Sequence, residues 1–101
     1  MEVIIKKEDT GTVVRLVGRL DTPASPEVSK ALEPVQNDAS GTIVLDCSEM
    51  EYISSSGLRI FLTLRKAAAA KGGRVVVKSI SSDIRQIFMM TGFINLFEFE
   101  D

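Results

Sequence analysis

Short β-branched segments and longer helix-like segments follow one another along this chain. The first two β-branched segments, 2–7 and 12–17, are separated by Glu8-Asp9-Thr10-Gly11, which is rich in turn-forming residues. This pattern predicts a β-hairpin at the beginning of the chain.

A first helix is predicted next, to about Gln36, because a candidate capping residue precedes a proline twice, at Thr22-Pro23 and at Ser25-Pro26. Pro34 lies inside this segment, and proline cannot donate a helical hydrogen bond. We therefore expect the helix to kink at Pro34 or to stop near Glu33.

The middle of the chain predicts a strand followed by a long helix. Residues 42–46 form a continuous apolar run, which is typical of a strand buried on both faces at the centre of a sheet. A polar loop is expected over 46–58. From Gly57 to Lys71, apolar side chains recur on one helical face, and Gly72-Gly73 ends this helix.

The last third of the chain predicts a strand, a short helix and an edge strand. Residues 74–78 repeat the buried-strand pattern, and Ser81-Ser82-Asp83 begins an amphipathic helix that stops at Gly92. Residues 96–99 alternate between apolar and polar side chains. Together the segments predict an α/β fold: one domain over 1–101, with a mixed sheet, an N-terminal hairpin, parallel central strands and helices in βαβ units.

Composition narrows the possible functions. The net charge is only −2 and the basic residues are scattered, so no nucleic-acid partner is expected. The chain has a single cysteine, Cys47, and lacks an apolar export segment, so we expect the protein to be located in the reducing cytoplasm. No apolar run is long enough for membrane insertion. The chain has no histidine, the usual general base and the commonest metal ligand. We therefore expect no catalytic residue, metal or cofactor.

Two predicted loops follow strands, where helix amino termini present unpaired N–H groups. The first is 18–21 and the second is 46–58, and both lie on one edge of the sheet if their strands run parallel. Leu58 and Leu62, one helical turn apart, form part of a partner-binding surface or of a wide apolar face buried in the core.

Three consecutive serines, Ser54, Ser55 and Ser56, precede Gly57 at the predicted helix start. A phosphate is electrostatically favoured there, and a glycine would leave its approach free of a side chain. Spacing alone leaves a simpler interpretation open, in which one serine is an N-cap and the others are polar loop residues.

The ordered motifs 18–21, 43–48, 52–58 and Gly72-Gly73 resemble the STAS-domain anti-sigma factor antagonist (anti-anti-sigma factor) family over essentially the whole chain. The resemblance implies a bacterial, cytoplasmic regulator of transcription that is not an enzyme. Such a protein binds an anti-sigma factor serine kinase and frees a sigma factor. This partner switching ends when the kinase phosphorylates one serine, and a phosphatase resets the phosphoprotein.

In this family the phosphorylated serine is the first of two hydroxyl residues before the glycine, which corresponds to Ser55. Ser54 stands where the family usually has aspartate, and this difference leaves the choice of acceptor open among the three serines. Ser54 and Ser56 are the less favoured acceptors. Asp21 matches an acidic position of the family and either lines the site or caps the first helix. The alternative function is a non-phosphorylated STAS subunit of a transport or stress-sensing complex. The sequence predicts a monomer.

Overall fold

The computed structural model describes all 101 residues, from Met1 to Asp101. Its five strands form one sheet in the order of the chain. The strands are β1 (Glu2–Glu8), β2 (Gly11–Leu20), β3 (Thr42–Ile53), β4 (Arg74–Lys78) and β5 (Glu98–Glu100). The helices are α1 (Ser25–Ala31), α2 (Glu33–Asn37), α3 (Ser55–Ala70) and α4 (Ser82–Thr91), with a 3-10 turn over Phe93–Asn95.

The sheet is mixed, as predicted. β1 and β2 form the antiparallel hairpin, whereas β2, β3, β4 and β5 run parallel to one another. Because each right-handed crossover advances the sheet in one direction, the helices cover the same face of the sheet. The core lies between that face and the helices, and α3 contributes Phe61, Leu64 and Ala68 to it. None of the helices combines the length and hydropathy that a bilayer span requires.

Strand β3 is at the centre of the sheet, as predicted, but it is longer than expected. It continues to Ile53, so the predicted loop over 46–58 is wrong for most of its length. The expectation of burial on both faces is also wrong, because only the side chains toward the helices, such as Leu45 and Cys47, are fully buried. Residues 46–51 look like a loop in sequence because the opposite face of β3 is polar and open.

The first helix is interrupted close to where proline chemistry predicts. α1 ends at Ala31, and α2 begins at Glu33 with Pro34 in its first turn. Pro34 has no N–H group, and its ring would collide with the carbonyl group of Lys30 in a continuous helix. The predicted caps are wrong: Ala24 occupies the N-cap of α1 without a side-chain hydrogen bond.

Candidate functional site

The ends of β2 and β3 lie side by side at one edge of the sheet. Leu20 pairs with Ile53, and the Ser54 amide donates a hydrogen bond of 2.8 Å to the Leu20 carbonyl oxygen. The chain leaves β2 toward α1 and leaves β3 directly into α3. The two segments that the sequence placed on a common edge therefore do lie together, but both predicted loops are too long: residues 18–20 belong to β2, and only Ser54 separates β3 from α3.

Ser54 is the N-cap of α3. Its backbone is extended, and its Oγ accepts a hydrogen bond of 3.2 Å from the Gly57 amide. The residue is only 6% exposed. Serine and aspartate are comparable N-caps, so the capping function survives the replacement of the usual aspartate while the negative charge is lost.

The hydroxyl groups of Ser54, Ser56 and Ser25 form a continuous chain. Ser56 Oγ lies 3.0 Å from Ser54 Oγ and 3.0 Å from Ser25 Oγ, and Ser25 Oγ donates to the Asp21 carbonyl oxygen over 2.9 Å. A hydroxyl has one proton to donate. Since the Ser25 proton goes to Asp21, Ser56 donates to Ser25, and Ser54 donates to Ser56.

Ser25 is part of this chain although the sequence suggested it only as a helix cap. Its side chain is buried at 7% exposure, and its partner Ser56 is 31 residues away. Local sequence could not reveal this contact, because it depends on how α1 and α3 meet. These hydrogen-bonded hydroxyl groups hold the start of α3 against the segment that follows β2.

Ser55 differs from its neighbours because its side chain is exposed and takes no part in the hydroxyl chain. It is the first residue of α3, directly after the N-cap. The unpaired N–H groups and the dipole of the helix make this position favourable for negative charge. Of the three serines, Ser55 is the only exposed one and the only one whose hydroxyl group has no hydrogen-bond partner within the protein.

Gly57 is required for packing and not for an open approach to the site. It is buried, and a Cβ atom at this position would lie 2.7 Å from Leu20 Cγ and 2.9 Å from Ile53 Cγ1. Real Cβ atoms essentially never come so close to another carbon. The absence of a side chain therefore lets the first turn of α3 rest directly on the ends of β2 and β3.

The two leucines at the helix start have different environments. Leu58 is only 2% exposed and belongs to the core, so it is not on a partner-binding surface. It faces inward because it follows Gly57 on the side of α3 that rests on the sheet. Leu62 is half-buried and is the outer member of the pair.

Asp21 supports the turn that leads into α1. Its Oδ1 accepts a hydrogen bond of 3.0 Å from the Ala24 amide, and its carbonyl oxygen receives the Ser25 hydroxyl proton. The half-buried residue therefore stabilises the start of the helix and also ends the hydroxyl chain. The hydrogen bond to Ala24 fits the structural role that the sequence suggested, whereas the role of Asp21 at the site stays a prediction.

Cys47 lies in the middle of β3. Burial, and to a smaller degree the charge of Asp46, raises the pKa of the Cys47 thiol to about 12. Its sulfur donates weakly to the Leu45 carbonyl oxygen at 3.5 Å. The group is a protonated, inaccessible thiol at neutral pH.

Replacing Ser54 by alanine should destabilise the domain by about 1–2 kcal/mol, because the α3 cap is lost and Ser56 loses a buried partner. Urea denaturation measures the change. Ser81→Ala is a matched control: Ser81 caps α4 through the Ile84 amide at the same 3.2 Å but is exposed. A smaller loss is expected there, and an equal loss in both variants would contradict the importance of the hydroxyl chain.

Comparison with known proteins identifies the family of this chain. A family model described as the STAS domain matches residues 2–101. The anti-sigma-B factor antagonist of Listeria monocytogenes is 26% identical over 102 residues, covering 100% of this chain and 90% of that protein. The anti-sigma-B factor antagonist of Staphylococcus aureus is 28% identical over 83 residues, covering 82% and 77% respectively.

Solved structures share the fold. An anti-sigma factor antagonist from Mycobacterium paratuberculosis superposes with a TM-score of 0.85 at 24% identity, covering 98% of this chain and 84% of that one. The Bacillus cell fate determinant SpoIIAA in its phosphorylated form gives 0.73 at 20% identity, covering 97% and 90%. The family model spans every strand and helix described above, including the serine-capped α3, and this confirms the resemblance seen in the sequence motifs: the chain belongs to the STAS domain family.

Proposed function

We propose that this chain is an anti-sigma factor antagonist. It binds an anti-sigma factor that is a serine kinase, which releases a sigma factor in the bacterial cytoplasm, until phosphorylation of Ser55 ends the binding. Relatives that match most of the chain carry the name of this function. The observation that supports the assignment most directly is the exposed Ser55 hydroxyl at the start of α3, beside two serines whose hydroxyls are already bonded.

The acceptor assignment depends on access. A kinase must bring the γ-phosphoryl group in line with a free hydroxyl oxygen. Ser54 is 6% exposed and caps the helix, and Ser56 is held between Ser54 and Ser25. Phosphorylation of either residue would require the start of α3 to open, whereas Ser55 can react in the folded domain.

The folded domain can accommodate a phosphate on Ser55. The first turn of α3 offers unpaired N–H groups, and Arg59, which is exposed, lies four residues further along the helix. Both features favour a negative charge at this position. The structural neighbour SpoIIAA has been solved in a phosphorylated form with the same fold. The phosphate would therefore act on the docking surface, without refolding the domain.

Loss of binding then follows from charge. A phosphoserine adds about −1.5 to −2 charges near neutral pH. Asp21, whose carboxylate accepts a hydrogen bond from the Ala24 amide, follows β2 at the same edge, and the phosphate would add a charge of the same sign there. Repulsion from carboxylates of the kinase and the cost of desolvating the phosphate would both weaken a close interface. A phosphatase that removes the phosphate would restore binding.

This function requires no catalysis by the chain itself. Its sequence contains no histidine, and its one cysteine is a buried, protonated thiol. We therefore assign it the role of a binding protein and of a substrate for its kinase.

Incubation with ATP and the cognate serine kinase should add one phosphate to the chain, and Ser55→Ala should abolish the addition. Mass spectrometry of the intact protein and of its peptides provides the measurement. Thr63→Ala, at an exposed position two turns along α3, is the control and should be phosphorylated normally. A phosphate that persists in Ser55→Ala would refute the acceptor assignment. Capture of a transport or stress-sensing subunit by an unphosphorylated chain would favour the alternative function instead.

A further inference from the structure

Strand β1 is an open edge of the sheet with an unusual surface. It is first in the strand order, so one side of its backbone has no neighbour over seven residues. Of the five exposed large apolar residues in the chain, three lie on or next to this strand: Met1 at 39%, Ile4 at 41% and Ile5 at 40% exposure. An exposed, regular and partly apolar edge is a template for pairing with another strand.

Charged side chains on an edge strand usually prevent such pairing. In β1, however, they are placed so that the strand is complementary to itself. When two copies run antiparallel with Ile4 opposite Ile4, Glu2 of each copy faces Lys6 of the other, and Val3 faces Ile5. The pairing thus places two opposite-charge pairs on either side of Ile4 on one face of the sheet and two Val3–Ile5 pairs on the other face, and both kinds of pair stabilise antiparallel strands.

The alternative register is less favourable. If a two-fold axis perpendicular to the sheet relates the two copies, their helices lie on the same side of the joined sheet. One residue of β1 then lies directly opposite the same residue of the other copy. If that residue were Ile5, Glu2 would face Glu8 and Ile4 would face Lys6. Like charges directly opposite one another destabilise a strand pair.

We propose that β1 pairs with β1 of a second copy of this chain, in the register with Ile4 opposite Ile4. The two sheets then form one continuous sheet of ten strands, twice the five of a single copy. Because one strand pair buries less area than a stable interface requires, the dimer forms reversibly at high protein concentration. β1 contributes no residue to the serine site, so this dimer is independent of the proposed function.

Charge reversal tests the pairing by sedimentation equilibrium over a range of concentrations. Lys6→Glu places like charges opposite Glu2 at two symmetric positions and should weaken the dimer about tenfold. The double variant Glu2→Lys/Lys6→Glu exchanges the two charges and should restore the dimer. Glu8→Lys is the matched control, because Glu8 lies beyond the paired residues. A chain that remains monomeric throughout, or a dimer that Lys6→Glu leaves unchanged, would overturn the proposal.

Cysteine cross-linking tests the register separately. Ile4→Cys should form a disulfide-linked dimer on mild oxidation, because only residue 4 faces its own copy, whereas Ile5→Cys should not. The native Cys47 is buried and does not compete. Preferential cross-linking of Ile5→Cys would establish the other register and contradict the proposed one. Circular dichroism spectra of all variants verify that the fold is retained.

Discussion

Ser55→Asp is expected to bind the anti-sigma factor kinase about thirty-fold to several-thousand-fold more weakly than the unchanged protein, whereas Ser55→Ala is expected to retain binding. The Ser55 hydroxyl is exposed at the start of α3 and makes none of the bonds that hold its neighbours, so its removal leaves the structure intact. In the proposed complex, a carboxylate at this position brings a buried, unpaired negative charge into the interface. Isothermal titration calorimetry with the purified kinase measures both affinities.

A second charge variant separates the effect of position from the effect of charge. Thr63→Asp adds the same charge to an exposed position of α3, eight residues and about 12 Å further along the helix. That separation exceeds the screening length of about 8 Å at physiological ionic strength. The control should bind the kinase nearly normally. Equal affinity of Ser55→Asp and Ser55→Ala would exclude the charge switch, even if Ser55 is phosphorylated.

The features that local patterns determine were predictable from the sequence. The hairpin, the alternation of strands and helices, and the helix stop at Gly72-Gly73 follow from periodicity and turn chemistry, and each is present in the structure. The break near Pro34 was predictable because proline acts through its own backbone. The position of Ser55 on a helix start also follows from the motif around it.

The features that depend on distant contacts were not predictable. The extent of β3 was underestimated because half of its side chains face an open, polar surface, and such residues resemble a loop. The Ser25 hydroxyl is bonded to Ser56, so its function depends on a residue in another helix. Leu58 lies on the same helix as the partly exposed Leu62, and only the packing of α3 on the sheet places Leu58 in the core.

The structural role of Gly57 leads to the second large effect. Gly57→Ala should destabilise the domain by about 1–3 kcal/mol, because the new methyl group would overlap with the buried Leu20 and Ile53 side chains. This loss is expected although alanine favours a helix over glycine by about 1 kcal/mol. Urea denaturation measures the change, and a more stable Gly57→Ala would disprove the packing argument. The variant Leu20→Ala provides a further check, since combining it with Gly57→Ala should cost less than the sum of both single changes.

Gly57→Ala should also slow phosphorylation of Ser55 beyond what its lower stability explains. To relieve the overlap, the first turn of α3 has to move away from the ends of β2 and β3, and this movement displaces Ser55 together with the bonded Ser54 and Ser56. Gly92→Ala is the control: no atom lies within 4 Å of its new methyl group, and it loses stability only through its positive φ of 80°. If both variants are phosphorylated at the same rate under conditions where both are folded, the close contact of Gly57 with the sheet does not position the acceptor. A slower rate for Gly57→Ala alone would connect the packing of this glycine to the presentation of the Ser55 hydroxyl.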